Sequence, residues 1–205
     1  MGDLTRFRSR PDETPEPLGQ RAAENLRFIR ETMERGAAFT AVPGVGGILM
    51  GALALVAAWA ASRQASETAW LFIWLACAVL AILVGGAALF LKARATGHSL
   101  IKGPGRRFAL SFAPPVAVGA ALTAALQSHG ETSLLPGVWL LCYGAAVVTG
   151  GAFSVRVIPA TGVLFMVLGG LSFLLPAAWG DALMAAGLGG LHIVSGCIVA
   201  RRYGG

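Results

Sequence analysis

The sequence predicts an all-α integral membrane protein with six transmembrane helices and an amphipathic helix before them. Of its 205 residues, 56% are hydrophobic and only 13% are charged, whereas about 25% of residues are charged in a typical soluble globular chain. The charges are concentrated at the two ends of the chain and between Lys92 and Arg107. The segments between them are apolar on every side, which is typical of helices surrounded by lipid.

Residues 1–36 form the predicted N-terminal segment, which we expect in the cytoplasm. Residues 1–17 are polar and contain three prolines, so we expect them to be disordered. Residues 18–36 are predicted to form an amphipathic helix, with Arg and acidic residues on its polar face. Such a helix could lie on the membrane surface, pack under the bundle or dock to a cytoplasmic partner. Its apolar residues recur at spacings of four, three and four: Ala22, Leu26, Ile29 and Met33. The segment lacks the apolar stretch of a signal peptide.

Residues 37–205 are predicted to form a six-span membrane domain. Each span has 19 to 25 residues, enough to cross a hydrocarbon core about 30 Å thick at about 1.5 Å per residue. The predicted spans are 37–61, 69–91, 108–127, 134–153, 157–176 and 182–200. Because the connections are short, we expect consecutive spans to pack as antiparallel hairpins.

The basic residues predict the orientation of the spans. With six spans, fifteen of the 16 Lys and Arg residues fall on one side, and only Arg63 falls on the other. Cytoplasmic loops carry an excess of basic residues, so both termini are predicted to lie in the cytoplasm, at the inner membrane of a bacterium. The basic charge then faces anionic lipid, and we expect no nucleic-acid partner. Four tryptophans fall at the opposite ends of the spans, as in an aromatic belt: Trp59, Trp70, Trp139 and Trp179.

A pattern shared by the spans predicts three parallel hairpins related by an internal repeat. Trp74 and Cys77 in the second span match Trp139 and Cys142 in the fourth. The odd-numbered spans all carry proline in their cytoplasmic third: Pro43, Pro114, Pro115 and Pro159. The first and last of these fit ordinary helix starts, whereas the central pair lies deep enough in its span to predict a kink.

Three stripes of small residues predict either close helix packing or the face of a homodimer. They are Gly47 with Gly51, Ala146 with Gly150, and Ala186 with Gly190.

His192 and Tyr143 form a candidate intramembrane site. They lie at similar depths in the sixth and fourth spans, and we expect both to face the bundle interior. They could form a hydrogen bond that stabilises the bundle, or they could contact a ligand, a proton or a pigment.

The loop before the third span is a second candidate site, for an anionic headgroup or another phosphate. Its glycine-rich backbone and three cations, Lys102, Arg106 and Arg107, precede a helix N-terminus. Arg156, in the next loop on the same side, could join them. The loop does not match a P-loop, and its alternative role is that of a basic anchor that fixes the topology.

Several classes of function are disfavoured. No Asp, Glu, Lys or Arg falls within the core of a predicted span, whereas proton- and ion-coupled transporters usually keep such a residue near the midplane. We recognise no catalytic constellation, and a single intramembrane His does not suffice for a b-type haem. The three cysteines are isolated and fit small buried apolar residues. We therefore expect no metal, no cofactor and no enzymatic activity.

The stretches 27–35, 150–156 and 191–205 resemble a group of uncharacterised bacterial membrane proteins with six helices. The hairpin layout is also faintly similar to that of the HdeD-like membrane proteins linked to acid resistance. The first resemblance covers most of the chain and implies no established activity.

Two hypotheses for the function remain. The first is a non-catalytic membrane module, namely a sensor, scaffold or regulatory subunit that contacts a membrane or cytoplasmic protein through helix 18–36. The alternative is a small channel or carrier for a neutral solute or lipid, favoured by the prolines and by His192. A polar cavity that reaches His192 would favour the carrier, and a closed core would favour the module.

Overall fold

A computed structural model describes residues 18–36, 42–95 and 103–203 of the chain, and within these ranges every regular element is a helix. The chain divides into two compact units, Met1–Gly36 and Ala37–Gly205. In the first unit, α1 spans Leu18–Gly36. Its apolar residues Leu26, Ile29 and Met33 are each more than half exposed.

The second unit contains six helices that are long and apolar enough to cross a membrane. Its α-helices are α2 (Gly44–Ala61), α3 (Glu67–Ala95), α4 (Gly103–Ser128), α5 (Leu135–Gly151), α6 (Val157–Leu174), α7 (Gly180–Met184) and α8 (His192–Tyr203). A π-helix, Ala185–Leu191, joins α7 to α8 and makes them one continuous helical segment. Short 3₁₀ turns, Thr132–Leu134 and Ala177–Trp179, precede α5 and α7.

The helices pack in an order that differs from their order along the chain. The most extensive contact joins α5 to α6, and α2 packs on both α3 and α8. Helix α4 packs on α5. Many large apolar side chains on α3 and α4 remain exposed, among them Phe72, Ile82, Leu110 and Val118. In water such a surface would be unfavourable, so it suggests, with the six long apolar helices, a multi-pass membrane protein.

The closest helix contacts are made by glycine, where no side chain keeps the backbones apart. A Cβ atom at Gly144 of α5 would lie 2.7 Å from the Gly162 carbonyl oxygen. A Cβ atom at Gly162 of α6 would lie 2.8 Å from both the Gly144 oxygen and the Val148 nitrogen. Gly44 and Gly196 make a similar contact between α2 and α8. Because lipid tails are as apolar as the helices themselves, such close van der Waals packing is what favours association of helices in a membrane.

The three small-residue stripes differ in how closely they pack against other helices. Gly47 and Gly51 face the segment of Gly189–Gly196 at short range, and Gly150 lies against Phe108 and Phe112. In contrast, Ala186 is exposed, and a Cβ atom at Gly190 would meet only the Ala185 oxygen, at 3.9 Å. The third stripe therefore takes no part in the close packing of this chain.

The prolines are accommodated in two ways. Pro43 is the residue before α2, and Pro159 is the third residue of α6, so both lie at helix starts, where an N–H is not needed. Pro115 lies inside α4 and removes the N–H that would bond to the Ser111 carbonyl oxygen. The Thr149 hydroxyl of α5 lies 2.8 Å from that oxygen and also 2.8 Å from the Ala145 carbonyl oxygen of its own helix, so two acceptors share its single proton. Helix α4 thus continues through both prolines, with a hydroxyl of the neighbouring helix beside the oxygen that Pro115 leaves free.

Candidate functional site

His192 and Tyr143 lie together between α8 and α5. The Tyr143 hydroxyl oxygen is 2.7 Å from His192 Nε2, and His192 Nδ1 is 2.8 Å from the Leu188 carbonyl oxygen. Aromatic rings surround the pair: Phe165 lies edge-on to both rings, with centroids 5.1 and 5.2 Å away, and Phe112 lies edge-on to Tyr143 at 5.9 Å. The sequence hypothesis placed these two polar side chains in the bundle interior, and the structure brings them into direct contact.

The geometry defines the hydrogen-bond roles of the pair. A carbonyl oxygen can only accept, so His192 Nδ1 must carry a proton and donate to Leu188. In a neutral imidazole the other nitrogen is then an acceptor, and Tyr143 donates its hydroxyl proton to Nε2. Both ring nitrogens of His192 are therefore satisfied by the protein, which suits a structural or ligand-orienting role better than proton transfer.

The π-helix that precedes His192 was not predicted from the sequence. Its seven residues, Ala185–Leu191, contain Leu188, whose carbonyl oxygen holds the imidazole. Turns of this kind are rare and occur often at functional sites. Gly187 and Gly189 lie within it and are buried against Leu140 and Leu55. The only sign of this segment in the sequence is a run of small residues, which does not reveal a change of helical register.

A cluster of hydrogen-bonded tryptophans lies at the opposite end of α3 from Lys92. Trp70 and Trp74 both donate their indole N–H to Asp181 Oδ1, at 2.8 and 3.1 Å. Trp139 stacks on Trp70 with centroids 5.6 Å apart and donates to the Thr123 hydroxyl at 2.7 Å. Tertiary hydrogen bonds thus hold these three rings against neighbouring helices, and the position of Trp70 and Trp139 at a membrane interface stays a prediction.

Sequence reasoning missed the role of Asp181. It is the one acidic residue between Glu131 and the C-terminus, and that isolation was the available signal. Beside it, Glu67 accepts a hydrogen bond of 2.6 Å from the Thr132 hydroxyl. A cleft of about 230 Å³ at this end is lined by both carboxylates and Trp70. An apolar groove of about 300 Å³ lies between α2 and α3 and is lined by Leu49, Leu53 and Val84, among others. His192 lines neither of them.

The candidate phosphate site is only partly described. Lys102 lies outside the described residues, whereas Arg106 and Arg107 are exposed near the start of α4 and Arg156 is exposed just before α6. Phe108 packs on Gly150, so these arginines occupy the same end of the bundle. In the described part of the chain, the structure shows no contact that brings the guanidinium groups of these arginines together.

Lys92 is a further cation that the sequence hypothesis did not single out. Its Nζ donates to the carbonyl oxygens of Val42 and Tyr203, at 3.0 and 3.3 Å. It therefore joins the end of α3 to the start of α2 and the end of α8, where a cation is also favoured by the helix dipole.

The fold and the two polar clusters define an all-helical protein with six candidate membrane-spanning helices and a hydrogen-bonded Tyr–His pair in its interior. Comparisons with protein-family models, curated proteins and solved structures give no match.

Proposed function

We propose that the chain is a multi-pass module of a bacterial inner membrane that carries out no catalysis and acts as a sensor, scaffold or regulatory subunit through α1. In this proposal six helices cross the membrane as three hairpins, with both termini in the cytoplasm. The cytoplasmic position of α1 rests on the distribution of basic residues along the sequence.

The observation that carries the proposal is the surface of α1. Leu26, Ile29 and Met33 lie on one face of the helix, and between 52% and 70% of each is exposed. Burial of such a stripe against a partner helix or groove would be favourable by about 25 cal/mol for each Å² of apolar surface. The partner would be a membrane or cytoplasmic protein, or a second copy of this chain.

The core supports a module more than a carrier. Glycine contacts at Gly44, Gly144 and Gly162 bring the helix backbones within van der Waals range. The two cavities above do not reach His192. A carrier would instead need a polar path near the midplane.

The proposal predicts capture of a specific protein that depends on the apolar face of α1. We expect a protein that co-purifies with the full chain in native mass spectrometry to be lost with Ile29→Glu, because a buried carboxylate would oppose docking. Gln20→Glu introduces the same group at another exposed position of α1 and should retain the partner.

The outcomes separate the two hypotheses. Equal retention with both variants, or no protein partner at all, would contradict the module. In that case uptake of neutral solutes into vesicles that contain the purified chain would test the carrier. A second copy of the chain as the captured protein would identify α1 as a homodimer contact.

A further inference from the structure

Tyr143 retains hydrogen-bonding capacity that the protein does not use. Its proton is donated to His192 Nε2, because the other ring nitrogen donates to Leu188. A phenolic oxygen can also accept a hydrogen bond, and within the described part of the chain no group donates to it. A molecule that binds beside Tyr143 would therefore have to be a donor, because the oxygen has no second proton to offer.

Both residues of the pair keep some exposed surface. Tyr143 and His192 are half-buried, whereas Leu140 and Phe165 beside them are almost completely buried, with exposed fractions of 0% and 1%. The pair is therefore less completely enclosed than these two apolar side chains.

The arrangement of α3 and α4 provides a route to the pair. Helix α3 packs on α2 and α4 packs on α5, and the described residues show no extensive contact between α3 and α4. They approach at one end, where Leu89 and Ala93 lie near Phe108. At the other end Trp70 of α3 stacks on Trp139 of α5. These two contacts close the interval between α3 and α4 at both ends. Tyr143 lies one helical turn beyond Trp139, between the two contacts.

The walls of this interval are apolar. Every residue of α3 from Leu71 to Leu91 is apolar or glycine, although Val84 and Ala88 face α2 rather than this interval. On the other side Phe112 of α4 is half-buried and lies edge-on to Tyr143. A ligand here would meet aliphatic and aromatic surface along its length and one hydrogen-bond acceptor at its end.

We propose that the interval between α3 and α4 is a lateral entrance from the membrane, and that it binds a lipid-soluble molecule whose hydroxyl group donates to Tyr143. The ligand class is a phenol, a quinol or an alcohol on an apolar body. This inference rests on the membrane insertion proposed above and is independent of the role of α1. It predicts that ethers and quinones of the same shape bind more weakly, since they offer Tyr143 only acceptors.

The test compares 4-octylphenol with its methyl ether, 4-octylanisole, on the full chain in lipid nanodiscs. The two probes share an apolar body and differ in the donor proton. Binding is followed by NMR of ¹³Cζ-labelled tyrosine, because the chain has only two tyrosines, Tyr143 and Tyr203. We expect the phenol to bind about tenfold more tightly, since one hydrogen bond is worth about a factor of ten. We also expect it to shift the Tyr143 signal alone.

Tyr143→Phe combined with His192→Phe supplies the second arm. Tyr143→Phe alone would leave His192 Nε2 without its donor and able to accept from the phenol, so both polar groups are replaced. The phenol should then lose its tenfold advantage, whereas Tyr203→Phe, which alters an exposed ring at the end of α8, should keep it. Equal affinity of the two probes for the unaltered chain would overturn the proposal without any variant. So would a shift of Tyr203 only, or an unchanged preference for the phenol in the double variant. Protein capture through α1 would be unaffected by any of these results.

Discussion

Replacement of Gly162 with Ala is expected to destabilise the bundle by about 2 to 3 kcal/mol, the cost of overpacking a site that cannot relax. The new Cβ atom would lie 2.8 Å from the Gly144 carbonyl oxygen and from the Val148 nitrogen. Both atoms belong to the α5 backbone, which cannot rotate away as a side chain would. Helices α5 and α6 would therefore have to separate, and they form the most extensive helix contact in the structure.

The same replacement at Gly170 is the matched control, because it lies on the same helix and a Cβ atom there would meet nothing within 4 Å. Alanine is favoured over glycine in a helix by up to about 1 kcal/mol, so Gly170→Ala should leave stability unchanged or raise it. Unfolding in mixed detergent and dodecyl sulfate micelles, followed by circular dichroism, measures both. Equal stability of the two variants would show that the close contact between α5 and α6 is absent.

Replacement of Asp181 with Leu is expected to cost about 2 to 4 kcal/mol, because two indole N–H groups lose their acceptor at once. Trp74 is only 3% exposed, so water cannot easily replace the carboxylate there. The loss should be accompanied by a shift of tryptophan fluorescence, as Trp70 and Trp74 lose their fixed positions.

Asp181→Asn separates the hydrogen bonds from the charge. Its Oδ1 can still accept from both indoles, so most of the stability should remain, within about 1 kcal/mol of the unaltered chain. If the Asn variant were as unstable as the Leu variant, the carboxylate charge would be the essential property, and the hydrogen-bond interpretation would be wrong.

The sequence predicted the helices better than their ends. Apolar segments are visible in hydropathy, but α3 continues to Ala95 through Lys92 and Arg94, and α4 begins at Gly103, five residues before its predicted start. Lys and Arg are good helix formers, so α3 does not stop where its apolar part stops. The first predicted span began at residue 37, whereas residues 42 and 43 are not helical and α2 begins at Gly44.

The polar clusters show where sequence reasoning succeeds and where it fails. Tyr143 and His192 could be paired from their similar depth in two spans, because a polar group in an apolar bundle needs a partner. The bonds from Trp70 and Trp74 to Asp181 join residues more than a hundred positions apart. They depend on which helices pack together, and no local pattern encodes that. The π-helix is equally invisible, because its register is set by packing.

Six crossings of the membrane with both termini on one side are the central claim, and site-directed cysteine labelling tests it most directly. The three native cysteines, Cys77, Cys142 and Cys197, are first replaced by Ala. Single cysteines are then placed at exposed positions between the spans and near both ends: Gln20, Ala95, Arg156 and Tyr203 on the proposed cytoplasmic side, and Ser62, His129 and Ala178 on the other. A membrane-impermeant maleimide is added to intact bacterial cells and to permeabilised cells.

The proposed topology predicts that cysteines at 62, 129 and 178 react in intact cells, and that those at 20, 95, 156 and 203 react only after permeabilisation. The reversed pattern would contradict the orientation. Any pattern that does not alternate between consecutive positions along the chain would contradict the six crossings themselves.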